Sequence, residues 1–335
     1  MNFRLKSKST LKKMLLGSGA FRVAHCMMEP SLVILRYHSI QDNPGLYADS
    51  IGVDSIHSTA IFREQMQVVA ERFNPVSMDE VLHFLCKGER IPKLSVAITF
   101  DDGYADNFEQ AMPILNHFGI PATFYLTVGL IGTKGNPWFC RLRSMFARTR
   151  KIVWRDSSRE WQLATPADRE HAFAAATAQV SSLRAVEREQ AVRGIEDELD
   201  VEPLPEVGLM LTWDQAHELV GQGHNVGSHT LSHPNVAHIE HDEMRTELVQ
   251  SKHKLEQELK VSVRHFSYPH PALDPQWNET TLRISCEAGY GSAVTTASAP
   301  VRATDDPLLL PRTWAPRNKS EFLWHLQHTL VARSI

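Results

Sequence analysis

The chain has 335 residues, 42% of them hydrophobic, and a formal net charge of −4. That length allows one or two domains around a sizeable core, and the acidic balance argues against a nucleic-acid-binding protein, which would carry a basic surplus. The four cysteines (Cys26, Cys86, Cys140 and Cys286) have neither metal-ligand nor redox-motif spacing and read as reduced structural thiols.

Residues 1–30 form a basic leader with six Lys or Arg and no acid before Glu29. Lys12, Lys13 and Arg22 flank only a short apolar run, Met14-Leu15-Leu16, so the leader lacks the continuous core of a secretory signal. No stretch is long enough to span a bilayer. The expectation is a cytoplasmic protein whose leader is either loosely held or lies on the anionic inner face of the membrane. Leu32–Tyr37 reads as a buried strand with His38 at its end. A long loop over 41–58 precedes a helix over 59–73, marked by Phe62, Met66, Val69 and Ala70 and ended by Asn74-Pro75. Ser77 and Glu80 have capping-box spacing for a helix running from Asp79 to Lys87.

The stretch Leu94–Val128 organises the rest. The apolar run Val96–Phe100 meets Asp101, Asp102 and Gly103. A helical segment interrupted by Pro113 and stopped by Gly119 follows, and then a second apolar run, Ala122–Val128. Strand, acidic turn, helix and strand predict a parallel sheet with right-handed crossovers. Chemistry gathers at the C-terminal strand ends of such sheets. Two adjacent carboxylates repel unless a cation or proton separates their roles. The pair is either a solvated turn or a metal ligand beside a general base, and the second reading needs further ligands elsewhere.

Residues 133–208 break the alternation of strand and helix. They run from an Arg-rich start through an Ala-rich stretch, Asp168–Leu199, of one or two helices to an acidic end. They read as a mainly helical insertion over the barrel mouth, with charge runs that are solvated faces and with Trp138 as either a sugar-stacking ring or a loop anchor. The alternation resumes with a helix capped by Thr212 and a short strand, Asn225–Ser228. His229 and His233 follow at i, i+4 spacing. Two imidazoles from one segment and a carboxylate from another leave open positions on a metal, as in a catalytic site. By ligand types alone the set also fits an iron oxygenase. An amphipathic helix over 240–259, a strand over 263–268 with His270 held extended by Pro271, a helix over 277–288 and a strand over 290–295 come next. A last strand, Leu308–Leu310, carries Arg312 at its end, and a helix over 320–332 closes a count of about seven strands.

Taken together, TFDDG (Thr99–Gly103), SHTLSHP (Ser228–Pro234), FSYPHP (Phe266–Pro271) and LLLPR (Leu308–Arg312) resemble the polysaccharide deacetylases of carbohydrate esterase family 4, the NodB-homology fold. LRYHSI resembles a subgroup acting on exopolysaccharides. The resemblance spans residues 32 to about 330 apart from the insertion. It implies an α/β fold, a distorted (β/α) barrel of about seven repeats. It also implies a divalent metal, Zn first with Co or Ni also accepted, held by Asp102, His229 and His233. Asp101 would be the general base, and the backbone N–H of His270 would hold the oxyanion. The implied substrate is an N-acetylated amino sugar, polymeric or lipid-linked, and the basic leader adds the expectation of peripheral contact with a membrane surface. Three positions depart from the family pattern. Ser267 stands where an Arg often orients the base, which leaves Arg312 as the candidate cation. His270 and Pro271 stand where an aromatic and a Gly are usual. The motif that supplies an acid His is not clear, because His325 and His328 lie on the closing helix, so His38 is the candidate proton donor. Two other readings are a deformylase or other amidase acting on a lipid-linked sugar, and a catalytically weak carbohydrate-binding relative.

Overall fold

The computed structural model describes residues 31–156, 158–205, 208–269 and 273–331, together with Lys12, Met14 and Phe21. The leader otherwise lies outside the described residues. Phe21 meets Trp324 edge-on at 5.4 Å, and Lys12 sits over the same ring. No helix among the described residues is long and apolar enough to cross a membrane.

Strand β1 (Ser31–Tyr37) leads into β2 (Ser39–Gln41), which pairs in parallel with β3 (Ile56–Ser58). The expected loop at 41–58 is therefore pinched at its base. Helix α1 (Thr59–Arg72) starts where Ser58 Oγ accepts the Ile61 N–H. Asn74-Pro75 does more than end that helix. With Val76 it forms β4 (Asn74–Val76), a short strand paired only with β5 (Ser95–Phe100), and an edge tolerates a proline with no N–H to donate. Helix α2 (Met78–Lys87) carries the expected Ser77–Glu80 capping box. After β5, Pro113 cannot donate to the carbonyl one turn back. The helix accordingly opens as a π turn (Asn107–Ala111) before α3 (Met112–Phe118), which ends at Gly119 in the left-handed conformation. Strand β6 (Ala122–Leu126) completes the central unit.

Next come α4 (Trp138–Arg148), the hairpin β7 (Val153–Arg155) and β8 (Glu160–Gln162), α5 (Pro166–Ser181) and α6 (Ala185–Leu199). This mainly helical insertion has its own apolar cluster, which includes Leu142, Phe146, Trp154, Ala176, Val192 and Leu199. Its charge runs are not simply solvated. Arg141 reaches Glu189 and Glu196 at 2.9 and 3.0 Å, and Arg143 pairs with Glu170, because the helices pack the basic start against the acids of the two later helices. The barrel resumes with α7 (Trp213–Gly221), β9 (Asn225–Ser228), α8 (His241–Leu259), β10 (His265–Ser267), α9 (Glu279–Glu287), β11 (Ser292–Val294), β12 (Val301–Arg302), β13 (Thr313–Trp314) and α10 (Lys319–Val331).

The main sheet runs β11-β10-β9-β6-β5-β1-β12, and every pairing in it is parallel except that of β1 with β12. Alternation along the strands sorts two cores. Leu32, Ile34, Ala97, Tyr125, Val294 and Leu310 fill the inside of the curl. Val33, Leu35, Ile98, Phe100 and Phe124 face outward onto Phe62, Met66, Leu248 and Leu255 of the helices. The expected strand at Leu308–Leu310 is instead a 3-10 turn (Pro307–Leu309), because Pro307 and Pro311 cannot donate to a ladder. Its continuation closes the barrel. Leu310 bridges Val294 of β11, and Thr313 pairs with Leu35 of β1, so residues 310–314 span the gap between the sheet's two ends.

Close packing at the barrel wall gives a test. A Cβ added to Gly227 in β9 would lie 2.5 Å from the Tyr125 ring and 2.8 Å from the His265 carbonyl oxygen. Gly227→Ala is expected to destabilise the fold by about 1–3 kcal/mol, read as a lower urea midpoint, whereas Gly135→Ala, which meets nothing within 4 Å, is expected to leave it unchanged.

Candidate active site

Strand β5 ends by delivering Asp101 and Asp102 to the barrel mouth, and both are buried. Asp102 has φ 77° and Gly103 φ 87°, so the chain turns sharply with two successive left-handed residues. Six described non-glycine residues have positive φ, and three of them, Asp102, Thr230 and His233, lie at this site. Strain of that kind persists only where surrounding contacts over-determine it. Here the Asp102 carbonyl accepts the Thr127 N–H at 3.1 Å, and the Thr230 carbonyl accepts the Val128 N–H at 2.9 Å.

His229 leaves the end of β9, and a tight turn brings His233 back beside it, with ring centroids 4.9 Å apart. Their Nε2 atoms stand 3.5 and 3.4 Å from the same Asp102 oxygen. His229 Nδ1 is 2.7 Å from the Ser267 carbonyl. That contact calls for a proton on Nδ1 and orients the ring so that Nε2 faces Asp102. Burial raises the Asp102 carboxyl, but hydrogen bonds from His229 and His233 outweigh it and hold the group well below the usual carboxylate range. Burial lowers His233 and favours its neutral, ligating form. One carboxylate and two imidazoles, with ligand atoms within 4.8 Å of one another, suit a divalent ion with open positions.

Glu247 of α8 was not singled out in the sequence, yet it holds the turn between the two histidines. Its carboxylate accepts the Leu231 and Ser232 N–H groups at 2.7 and 3.0 Å and the Ser232 hydroxyl. From the other side, Trp138 Nε1 and Arg188 Nη2 donate to the Ser232 carbonyl at 3.0 and 3.1 Å. Trp138 is therefore an anchor between insertion and site, with its ring buried. Phe139 beside it packs 4.6 Å from His233.

Asp101 faces Arg312. Nη1 donates to Oδ1 and Nη2 to Oδ2, both at 2.7 Å. The remaining guanidinium N–H groups go to Thr99 Oγ1, Ser267 Oγ and the Thr295 carbonyl, so all five donors are used. Ser267 also donates to Asp101 at 3.2 Å, and its small side chain leaves the space that the Arg312 head occupies. Arg312 enters from the closing segment just before β13 rather than from a strand end. Burial raises Asp101, but Arg312 and then His229 overcome it and keep the carboxyl well below its usual range.

His38 lines the same cleft, and burial pushes its imidazole down to about 4. Its backbone is held by Asn107, whose Nδ2 donates to the His38 carbonyl at 2.6 Å. Asp106 holds the residues that follow, accepting from Ser39 Oγ, the Ile40 N–H, Gln41 Nε2 and Asn107 Nδ2. His270 lies outside the described residues. His325 bonds to Thr313 Oγ1, and His328 stacks on Trp324, so the closing-helix histidines are engaged outside the cleft lining. The cleft, of about 420 Å³, lies between the barrel mouth, the 50–55 loop and the insertion residues Phe139, Arg143, Glu170 and Phe173.

A strand-end carboxylate and two histidines on a curled parallel sheet, beside an arginine-clamped acid, define a hydrolase-like site at the mouth of a distorted barrel. The polysaccharide deacetylase family model matches residues 88–293. The chain belongs to that family. YxkH of Bacillus subtilis (strain 168), which carries the family's name, is 30% identical over 104 residues. That alignment covers 31% of this chain and 34% of the length of YxkH. Among solved structures, the Streptococcus pyogenes deacetylase PplD in complex with acetate aligns with a TM-score of 0.59 at 22% identity, over 90% of this chain and 99% of PplD. IcaB from Ammonifex degensii aligns with a TM-score of 0.59 at 17% identity, over 90% and 98% of the two chains. These structural likenesses establish the fold.

The Asp106 anchor makes a pH-dependent prediction. Burial lifts this carboxyl from 3.8 to about 7 against the pull of its hydrogen bonds. A group raised in the folded state stabilises it fully below its unfolded value, and that contribution is lost as pH rises through the folded one. The stability of the wild type relative to Asp106→Asn is therefore expected to fall between about pH 4 and pH 7, by on the order of 2–4 kcal/mol in urea titrations. Parallel pH profiles would refute this.

Proposed function

We propose that the chain is a metal-dependent hydrolase that removes N-acetyl groups from amino sugars of a polysaccharide or its lipid-linked precursor and releases acetate. The observation that carries this reading is the juxtaposition, in one cleft, of the Asp102–His229–His233 set with an Asp101 carboxylate clamped by Arg312. A divalent ion held by Asp102, His229 and His233, with zinc the first choice for its N/O donor set, would acidify water and polarise the amide carbonyl.

The chain's own residues supply the rest. Asp101 is ionised throughout the working pH range, so it always stands ready to take the proton of the attacking water. Arg312 fixes both oxygens of Asp101 and keeps its accepting lone pairs aimed into the cleft. His38 is neutral at rest, so as proton donor to the departing amine it must first take up a proton within the turnover. The cleft beside the insertion wall, of about 420 Å³, leaves room for a monosaccharide unit. We place the protein in the cytoplasm, peripheral at the inner membrane face, on the basic leader.

The decisive experiment follows acetate release from N-acetylglucosamine oligomers with and without zinc. Asp101→Asn is expected to bind one equivalent of metal and to lose about 10²–10⁴-fold in kcat. His229→Ala and His233→Ala are expected to lose the metal itself. Release by a metal-free enzyme, or full activity in Asp101→Asn, would sink the reading. Arg312→Met is expected to cost about 3–5 kcal/mol of stability by stranding the buried Asp101 charge, whereas a double replacement, Asp101→Asn with Arg312→Met, recovers much of that loss.

A further inference from the structure

The cleft holds one cation with no hydrogen-bond or ion-pair partner among the described residues. Arg312 is committed to Asp101, and Arg143 on the insertion wall is paired with Glu170. Arg36 lines the same cleft and makes no hydrogen bond or ion pair with any described residue. It stands in register with Thr99 of β5, two residues beyond Ile34 on the inward face of β1, so its side chain rises from the barrel interior toward the mouth. It feels the charges of Arg312, Asp101 and Asp102.

Charge balance makes this position informative. Before any ion binds, the two carboxylates are already matched by Arg36 and Arg312. A divalent ion on Asp102, His229 and His233 leaves the cleft with a surplus of positive charge. Bringing a largely buried, unpaired guanidinium into such a cleft is costly unless a negative group meets it there. A planar guanidinium matches carboxylate and phosphate oxygens two at a time.

We infer that Arg36 is a specificity-determining residue that binds an anionic substituent of the substrate, so that the amino sugar accepted carries a phosphate or a carboxylate close to its acetamido group. This rests on the reading of the cleft as a deacetylase site. Neutral amino sugars bind without using Arg36, and anionic ones gain a charge-assisted pair with it.

The test is calorimetric titration of the zinc-loaded protein with N-acetylglucosamine, N-acetylglucosamine 1-phosphate and N-acetylmuramic acid, for the wild type, Arg36→Gln and Arg36→Lys. At least one anionic sugar is expected to bind the wild type about tenfold or more tighter than the neutral parent. Arg36→Gln is expected to bring that ratio to within about twofold, while Arg36→Lys retains part of it as a point charge. A preference limited to the phosphorylated sugar assigns a phosphate, and one limited to the carboxylated sugar assigns a carboxylate. Equal affinities in the wild type, no binding of any of the three, or a preference that survives in Arg36→Gln would each overturn the inference. If Arg36→Gln misfolds, Arg36→Lys carries the test through the same affinity ratio. Acetate release is scored separately. Deacetylation of neutral oligomers without anion preference removes this inference and leaves the deacetylase reading standing. Anion discrimination without acetate release does the reverse.

Discussion

A carboxylate sealed from water stays charged only if a positive group stands close, and Asp101 is almost fully sealed. Arg312 provides that group, itself fully buried and with every N–H used. Such a pair gives little net stability against an apolar equivalent, but breaking it is expensive. Its value lies in position, since both oxygens of Asp101 are fixed. Arg312 can be there only because residues 310–314 cross from β11 to β1. Closing the barrel and orienting the acid are thus one event, and the outer helices, stacked aromatics and apolar layers keep that closing segment in register.

The second half of the site is organised from outside the barrel. His229 is oriented by the Ser267 carbonyl, and the turn to His233 is gripped by Glu247 below and by Trp138 and Arg188 above. Burial raises the Glu247 carboxyl, and the facing Arg188 and the N–H groups it accepts offset that penalty. The left-handed Thr230 and His233 can be strained because their neighbours are held from both sides.

Much of this was legible in the chain. Apolar runs and Gly or Pro stops located β1, β5, β6 and β9, and the Ser77–Glu80 box needs only local geometry. Asp101, Asp102, His229 and His233 could be singled out because strand ends are readable and their residue types are unusual there. The short strands β10 and β11 were also located, but several others of two or three residues escaped. Asn74–Val76 and Thr313–Trp314 owe their conformation to β5 and β1 rather than to their own sequences. The strand expected at Leu308–Leu310 failed because the flanking prolines could not join a ladder. Glu247, Arg188 and Asp106 stayed hidden because on a helical wheel or in a charge run they look like surface residues. Only contacts 16 to 67 positions away show them to be interior acceptors and donors. The Arg-rich and acidic ends of the insertion are mostly exposed, as read, and the Arg141–Glu196 pair is the part of them that the sequence did not show.

The grip on Ser232 has a consequence for how this chain can change over generations. An insertion with its own apolar cluster looks like a module that could be trimmed or exchanged freely. Two of its side chains, Trp138 and Arg188, nevertheless terminate on the loop that carries both histidines. A lineage can remodel the outward helices, or the cleft-facing surface around Phe173, with little penalty to the barrel. It cannot discard the module without first finding new donors for the Ser232 carbonyl and a new counter-charge for Glu247. Inheritance of the insertion is therefore tied to inheritance of the histidine loop, while its outer surface is left free to drift.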